Sequence, residues 1–236
     1  MPASDAWNVL PHGPLEALAP NLWRVEGELP DMPLKRVMTV ARRDDGSLLV
    51  HNAMALDETT MRALDARGQV TAVIVPNGFH RMDAPAYAAR YPEAKFFAPN
   101  GSLGKVQLVV PRAASSEALV ADASTGYEVL DGCGGQEGVL TVRSGDEVTL
   151  VLNDVVFNMP HVPGVKGFVL RHVTASSGGP RVSRVGRLFL VKDKRALGAH
   201  LERLAATPGL RRVIVSHHEV LAADPAASLR AVAASL

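Results

Sequence analysis

The sequence predicts a mixed α/β (α+β) domain, two facing sheets with helices outside them, formed by residues 1–236 as a single unit. Three observations lead there. Short apolar, β-branched runs such as Val70, Val73, Ile74 and Val75 stop abruptly, here at Pro76, as strands buried on both faces do. Strand and helix signals alternate between residues 48 and 98. Two strand-rich halves then each close on a helix-bearing return. A chain of 236 residues with 47% apolar and 21% charged residues has enough material for one well-filled core.

Residues 1–20 are rich in Pro and Ala without a period and read as an irregular arm. Leu22 to Val25 reads as an edge strand. Val37 to Ala41 and Ser47 to Val50 form a hairpin turned at Asp45-Gly46. A helix starts at Asp57, turns Met61 and Leu64 inward, and stops at Gly68. A second helix runs from Asp83, with Pro85 in its first turn, to Tyr91-Pro92; Lys95 to Ala98 is the next strand. Residues 99–135 read as loops around a weak strand at Val106 to Val110. Gly138 to Arg143 and Asp146 to Leu152 pair through a turn at Ser144-Gly145. After Asn158-Met159-Pro160-His161 comes a Gly-, Ser- and basic-rich surface stretch. A helix over Asp193 to Ala206, a strand over 212–216 and a helix opened by Asp224-Pro225 complete the chain.

Four apolar strands end in metal-ligating or polar residues. Leu48 to Val50 runs into His51-Asn52. The strand at 70–75 runs into Asn77, His80 and Asp83; that at 148–152 runs into Asn153-Asp154; and that at 213–215 runs into Ser216-His217-His218-Glu219. Strands lying side by side in one orientation bring such ends to one crevice. Asp83 is also a natural helix-start residue. His217 and His218 are adjacent, so on extended backbone only one of them faces the crevice. Cys133, in D-G-C-G-G, is either a small residue in a glycine turn or a thiolate ligand.

L-W-R-V-E-G followed by D-D-G-S-L-L-V-H-N, then A-V-I-V-P-N-G-F-H, T-L-V-L-N-D-V-V-F-N and V-I-V-S-H-H-E resemble the metallo-β-lactamase fold superfamily from Leu22 onward. The resemblance implies a four-layer αββα sandwich and an ancestral metal-dependent hydrolase. The superfamily's H-x-H-x-D-H motif is eroded here. Without a gap, Asn77 and Phe79 replace its first two histidines, Arg81 its aspartate and Met82 its last histidine. A shift of one puts His80 on the second histidine and Asp83 on the last. Asp154 matches the bridging aspartate, His217 the final histidine with His218 beside it, and Cys133 lies near the later histidine. The resemblance therefore implies a metal set drawn from His80, Asp83, Asp154, His217, His218 and Cys133, with Asp154 and His80 as catalytic residues. It implies one zinc ion or none, and weak or no turnover of ester, lactone and β-lactam bonds. In the ungapped register the Arg81 cation would repel a nearby metal.

A non-catalytic small-ligand or scaffold protein on the same fold is the alternative. A Rossmann-like dinucleotide binder lacks G-x-G-x-x-G. With 25 basic against 24 acidic residues and no basic tract, nucleic acid and anionic membrane are not expected partners. The expected partner is a small molecule of unspecified structure, and a homodimer is compatible with the sequence. One cysteine and an N-terminus without basic and apolar blocks lead to the expectation of a cytoplasmic protein.

Overall fold

A computed structural model describes residues 3–30 and 32–236. Its larger sheet has seven strands in sequence order: β1 (Glu16–Ala19), β2 (Leu22–Leu29), β3 (Met32–Arg42), β4 (Leu48–His51), β5 (Val70–Ile74), β6 (Lys95–Ala98) and β7 (Ala114–Ser115). The first three junctions are antiparallel and the last three parallel, because helices α1 (Glu58–Asp65), α2 (Ala84–Arg90) and α3 (Asn100–Gln107) cross over between β4 and β7. The second sheet has four strands, formed by β8 (Thr125–Val129), β9 (Gly138–Ser144), β10 (Glu147–Val151) and β13 (Leu210–Ile214), in the order β13-β10-β9-β8. A two-stranded ribbon of β11 (Phe157–Met159) and β12 (Gly179–Arg181) lies between β10 and β13 in sequence. So do α4 (Gly164–Phe168), a π-helical turn over Val169–Val173, α5 (Arg184–Phe189) and α6 (Lys194–Ala205). Helix α7 (Pro225–Ala234) closes the chain.

Alternation of side chains gives each sheet two apolar faces, and three buried clusters fill the resulting gaps. Leu22, Val37, Leu49, Ile74 and Phe97 of the first sheet pack on Leu140, Val142, Val151 and Ile214 of the second. The outer face of the first sheet packs on Met61, Leu64, Tyr87 and Val106 of its helices; that of the second packs on Leu197, Leu201, Leu229 and Val232. The layers are therefore helix, sheet, sheet, helix, as expected.

Several local expectations change. β2 is interior to the sheet, with β1 outside it, and β1 occupies the end of the supposed irregular arm, of which residues 1 and 2 lie outside the described residues. Val106 belongs to α3, not to a strand. Gly101, one of the glycines that suggested a loop, serves close approach: a Cβ there would meet the backbone of Gly134 and Gly135, and Gly101 N donates to Gly135 O at 2.8 Å. The four strand ends come from two sheets, β4 and β5 from one and β10 and β13 from the other. No helix among the described residues is long and apolar enough to cross a membrane.

Candidate metal centre

Each site residue lies in the turn that follows a strand, so the sheets set where it starts from. β4 ends at His51, and Asn52 turns the chain with φ of 59°, a left-handed conformation that Asn tolerates. After β5, Asn77 Oδ1 accepts from the backbone N–H of Phe79 (2.8 Å) and His80 (3.2 Å), an Asx-type turn that presents His80. β10 leads into Asn153 and Asp154, and β13 into His217.

His80 Nε2 and His217 Nε2 both converge on Asp154 Oδ1, at 2.9 and 3.0 Å. One ligand atom from each of the three residues falls within 4.8 Å of the other two. The opposite ring nitrogens are fixed. His80 Nδ1 lies 2.9 Å from Asn52 Oδ1, and Asn52 is oriented by donating its amide to Val37 O at 2.8 Å. His217 Nδ1 lies 2.7 Å from the Lys35 carbonyl. Both partners only accept, so both Nδ1 atoms carry hydrogen, and in the neutral rings both Nε2 lone pairs point at the cluster. Phe157 stacks on the His217 ring with centroids 5.0 Å apart.

Behind Asp154 lies Glu137, fully buried just ahead of β9. Its oxygens receive Asn77 Nδ2 (2.6 Å), Asn153 Nδ2 (3.2 Å) and the backbone N–H of Asp154 (3.2 Å) and Val155 (2.9 Å). Burial and then the Asp154 charge raise its carboxyl to about 8, against the pull of these donors. Asn77 Nδ2 also donates to Asp154 Oδ2 at 2.8 Å. Burial works to raise the Asp154 carboxyl, but His80 and His217 hold it well below the usual carboxylate range. Burial works to lower His217, but the bond to Asp154 raises it. His51, buried beside this centre, is driven down to about 3 by burial and then by His80.

The structure brings together His80, Asp154 and His217 and leaves three other candidates outside. Asp83 Oδ2 accepts from Arg36 Nη1 at 2.6 Å and from Ala55 N at 3.1 Å, so its carboxylate is consumed; it precedes α2 without capping it. Cys133 is a core residue packed with Leu130, Val139 and Leu197, and burial, with the Glu137 and Asp131 charges, pushes its thiol up to about 12. His218 turns away with φ of 68°; its Nε2 accepts from Lys35 N at 3.3 Å, and burial with the neighbouring His217 and Lys35 lowers it to about 4. Arg81 points outward onto the Lys105 carbonyl (2.7 Å) and does not face the cluster. Sequence reasoning missed Glu137, whose only signal was an acid without a basic neighbour ahead of an apolar strand.

The cluster forms one wall of a cavity of about 340 Å³. Leu29, Leu34, Met82, Phe157 and Leu190 line the rest of it, with Met32, Phe79, Val185 and Phe189 at partly exposed positions.

No protein-family model matches the sequence, and no curated protein matches it either. In structure the chain is similar to VMB-1, a metallo-β-lactamase, whose crystal structure aligns with a TM-score of 0.59 over 94% of this chain and 96% of that one, at 11% sequence identity. The likeness shows a shared fold, the αββα sandwich of the metallo-β-lactamases.

Proposed function

We propose that this chain holds one zinc ion on His80, Asp154 and His217 and is a metal-dependent hydrolase of reduced power, acting on an ester- or lactone-type bond. The observation that carries this reading is the convergence of His80 Nε2, His217 Nε2 and Asp154 Oδ1, with an acceptor facing each opposite Nδ1. Acceptors at Asn52 Oδ1 and Lys35 O hold the Nδ1 hydrogens, which directs both Nε2 lone pairs to the side where Asp154 Oδ1 sits. Two imidazoles and one carboxylate fit a divalent cation such as zinc.

A cation bound there supplies Lewis acidity toward a carbonyl. The chain's own residues do the rest. Asn77 holds Asp154 in one orientation, and Glu137 holds Asn77. Phe157 shields one face of His217, and the apolar cavity excludes water around a bound substrate.

A second cation is disfavoured by the same geometry. Asn77 presents its NH₂ group, a donor with no lone pair to offer, to the second oxygen of Asp154. Single occupancy is the reason for expecting weak turnover, since one ion must do the work shared by two in a dimetal hydrolase.

The test is elemental analysis of protein purified without added metal or chelator, followed by zinc titration of the wild type and His80→Ala. About one equivalent, lost in the variant, is the expected outcome. Two tightly held equivalents, with turnover abolished by a chelator and by His80→Ala, would overturn the single-site reading. A wild type that takes up no metal at all would favour the non-catalytic small-ligand reading, for which the apolar cavity is the supporting observation.

A further inference from the structure

Between Asp154 and Asp193 the chain carries no acidic residue, while it carries Lys166, Arg171, Arg181, Arg184, Arg187 and Lys192. The remaining nineteen basic residues face all 24 acidic ones, so the near-neutral total hides a cationic segment on a net acidic body. Among the described residues, Arg171, Arg181, Arg184 and Arg187 make no ion pair. Arg184 instead donates to the His172 carbonyl (2.7 Å), and Arg187 to the Ser235 carbonyl (2.7 Å), contacts that leave the full positive charge in place. Elsewhere in the chain arginines without an ion pair also occur, such as Arg81 and Arg112 on backbone carbonyls, but they are interspersed with paired ones, as with Arg36 and Asp83, Arg43 and Asp122, or Arg90 and Glu58.

The same segment is the most apolar surface of the molecule. Of twelve large hydrophobic side chains exposed among the described residues, seven lie between Val165 and Phe189. They follow helical spacing. Val165, Phe168, Val169 and Val173 form one outward stripe, and Val185, Leu188 and Phe189 a second, with Val165 82% and Leu188 71% exposed. The two helical stretches are tied together by Arg184 N donating to Thr174 O at 2.8 Å. Val185 and Phe189 also line the cavity, together with Phe79 and Met32, so the exposed apolar surface continues into its mouth.

We propose that this face, α4 through α5, docks on an anionic lipid surface. Apolar stripes flanked by uncompensated cations are what a helix lying in the headgroup region needs: the side chains bury in the acyl boundary while the arginines meet lipid phosphates. The acidic remainder of the chain is repelled by the same surface, which orients the protein with the cavity mouth toward the lipid. This reverses the expectation drawn from the overall charge, and it stands whether or not the site holds zinc.

The experiment is co-sedimentation of the full chain with vesicles of phosphatidylcholine alone and of phosphatidylcholine with about one third phosphatidylglycerol. Binding to the anionic vesicles is expected, weaker at high sodium chloride and weak to phosphatidylcholine alone. The double variant Phe168→Ser with Leu188→Ser should lose roughly tenfold or more in partitioning. Arg171→Glu, a change at an exposed position that does not threaten folding, should lose several-fold, with about fivefold expected per interacting cation removed. Unchanged far-ultraviolet circular dichroism and melting temperature confirm that the variants fold. Absence of binding to anionic vesicles, or equal binding to both kinds, overturns the proposal. So does a stable dimer in sedimentation that the Phe168→Ser, Leu188→Ser variant dissociates, because the face would then belong to a second copy of the chain.

Discussion

Asp83 and Asp154 are two carboxylates largely withdrawn from water just past strands β5 and β10, and they differ in the company they keep. Asp83 is matched by Arg36 Nη1 at 2.6 Å and Ala55 N at 3.1 Å. Asp154 is matched by two imidazoles and an amide, His80, His217 and Asn77. Guanidinium never gives up its proton near neutral pH, so the Asp83 pair is permanently closed and serves the packing between β3 and the start of α2. Imidazoles can exchange a proton for a metal, which is why the proposed cation site is placed at Asp154 and not at Asp83. The chemistry of the partner decides which buried acid is structural and which is available.

The largest effect should come from opening the closed pair. Arg36→Ala strands a buried carboxylate and should cost about 3–5 kcal/mol in urea unfolding. Replacing both partners, with Arg36→Met and Asp83→Leu, should recover most of that loss; if it does not, Asp83 does more than neutralise Arg36. Next, Asp154→Asn should weaken zinc binding by about 100-fold or more in a chelator-competition titration, whereas Asp83→Asn should leave it unchanged. Equal effects from the two substitutions would erase the distinction.

Glu137→Gln probes the support beneath Asp154. Every hydrogen bond to Glu137 is donated to it, so above about pH 8, where its carboxyl is ionised, the new NH₂ confronts a donor and a loss of about 1–3 kcal/mol is expected in chemical denaturation. Asn52→Gly keeps the left-handed backbone but removes the acceptor for His80 Nδ1, so zinc affinity should fall about tenfold, while loss of the buried bond to the Val37 carbonyl should cost about 1–3 kcal/mol of stability. The smallest effect belongs to Cys133→Ala, about 1 kcal/mol from lost packing and none on zinc binding. Weakened zinc binding there would return the thiol to the ligand set.

What the sequence showed and what it hid follow one rule. Strand ends were readable at His80, Asp154 and His217 because β-branched runs and their polar stops are local signals. Asp83 could be read as a helix start or a ligand, but the ion pair that occupies it was hidden because its partner lies far off in the chain; Arg36 is 47 residues from Asp83. Glu137 was invisible for the same reason, since its Asn77 bond spans 60 residues. The alternation argument for His217 and His218 assumed extended backbone, and the left-handed φ at His218 is set by turn geometry that no periodicity reports. Val106 went to a strand because Gly101 and Gly104 argued against a helix, while the close approach that requires Gly101 is a tertiary contact. Overall charge is an average, and it did not report the segregated cationic segment at residues 155–192.

The bond between His217 Nδ1 and the Lys35 carbonyl spans 182 residues, and Val37 N donates to Ser216 O beside it at 2.9 Å. These bonds join the two sheets, and they bear on the order in which the protein matures during synthesis. The Asp83–Arg36 pair draws only on early parts of the chain and can close while the C-terminal half is still being made. The Asp154 cluster cannot: its last residue, His217, follows β13, 63 residues after Asp154, and is aimed only after docking on β3. The three-residue cluster is therefore incomplete until both halves of the fold have been made and joined.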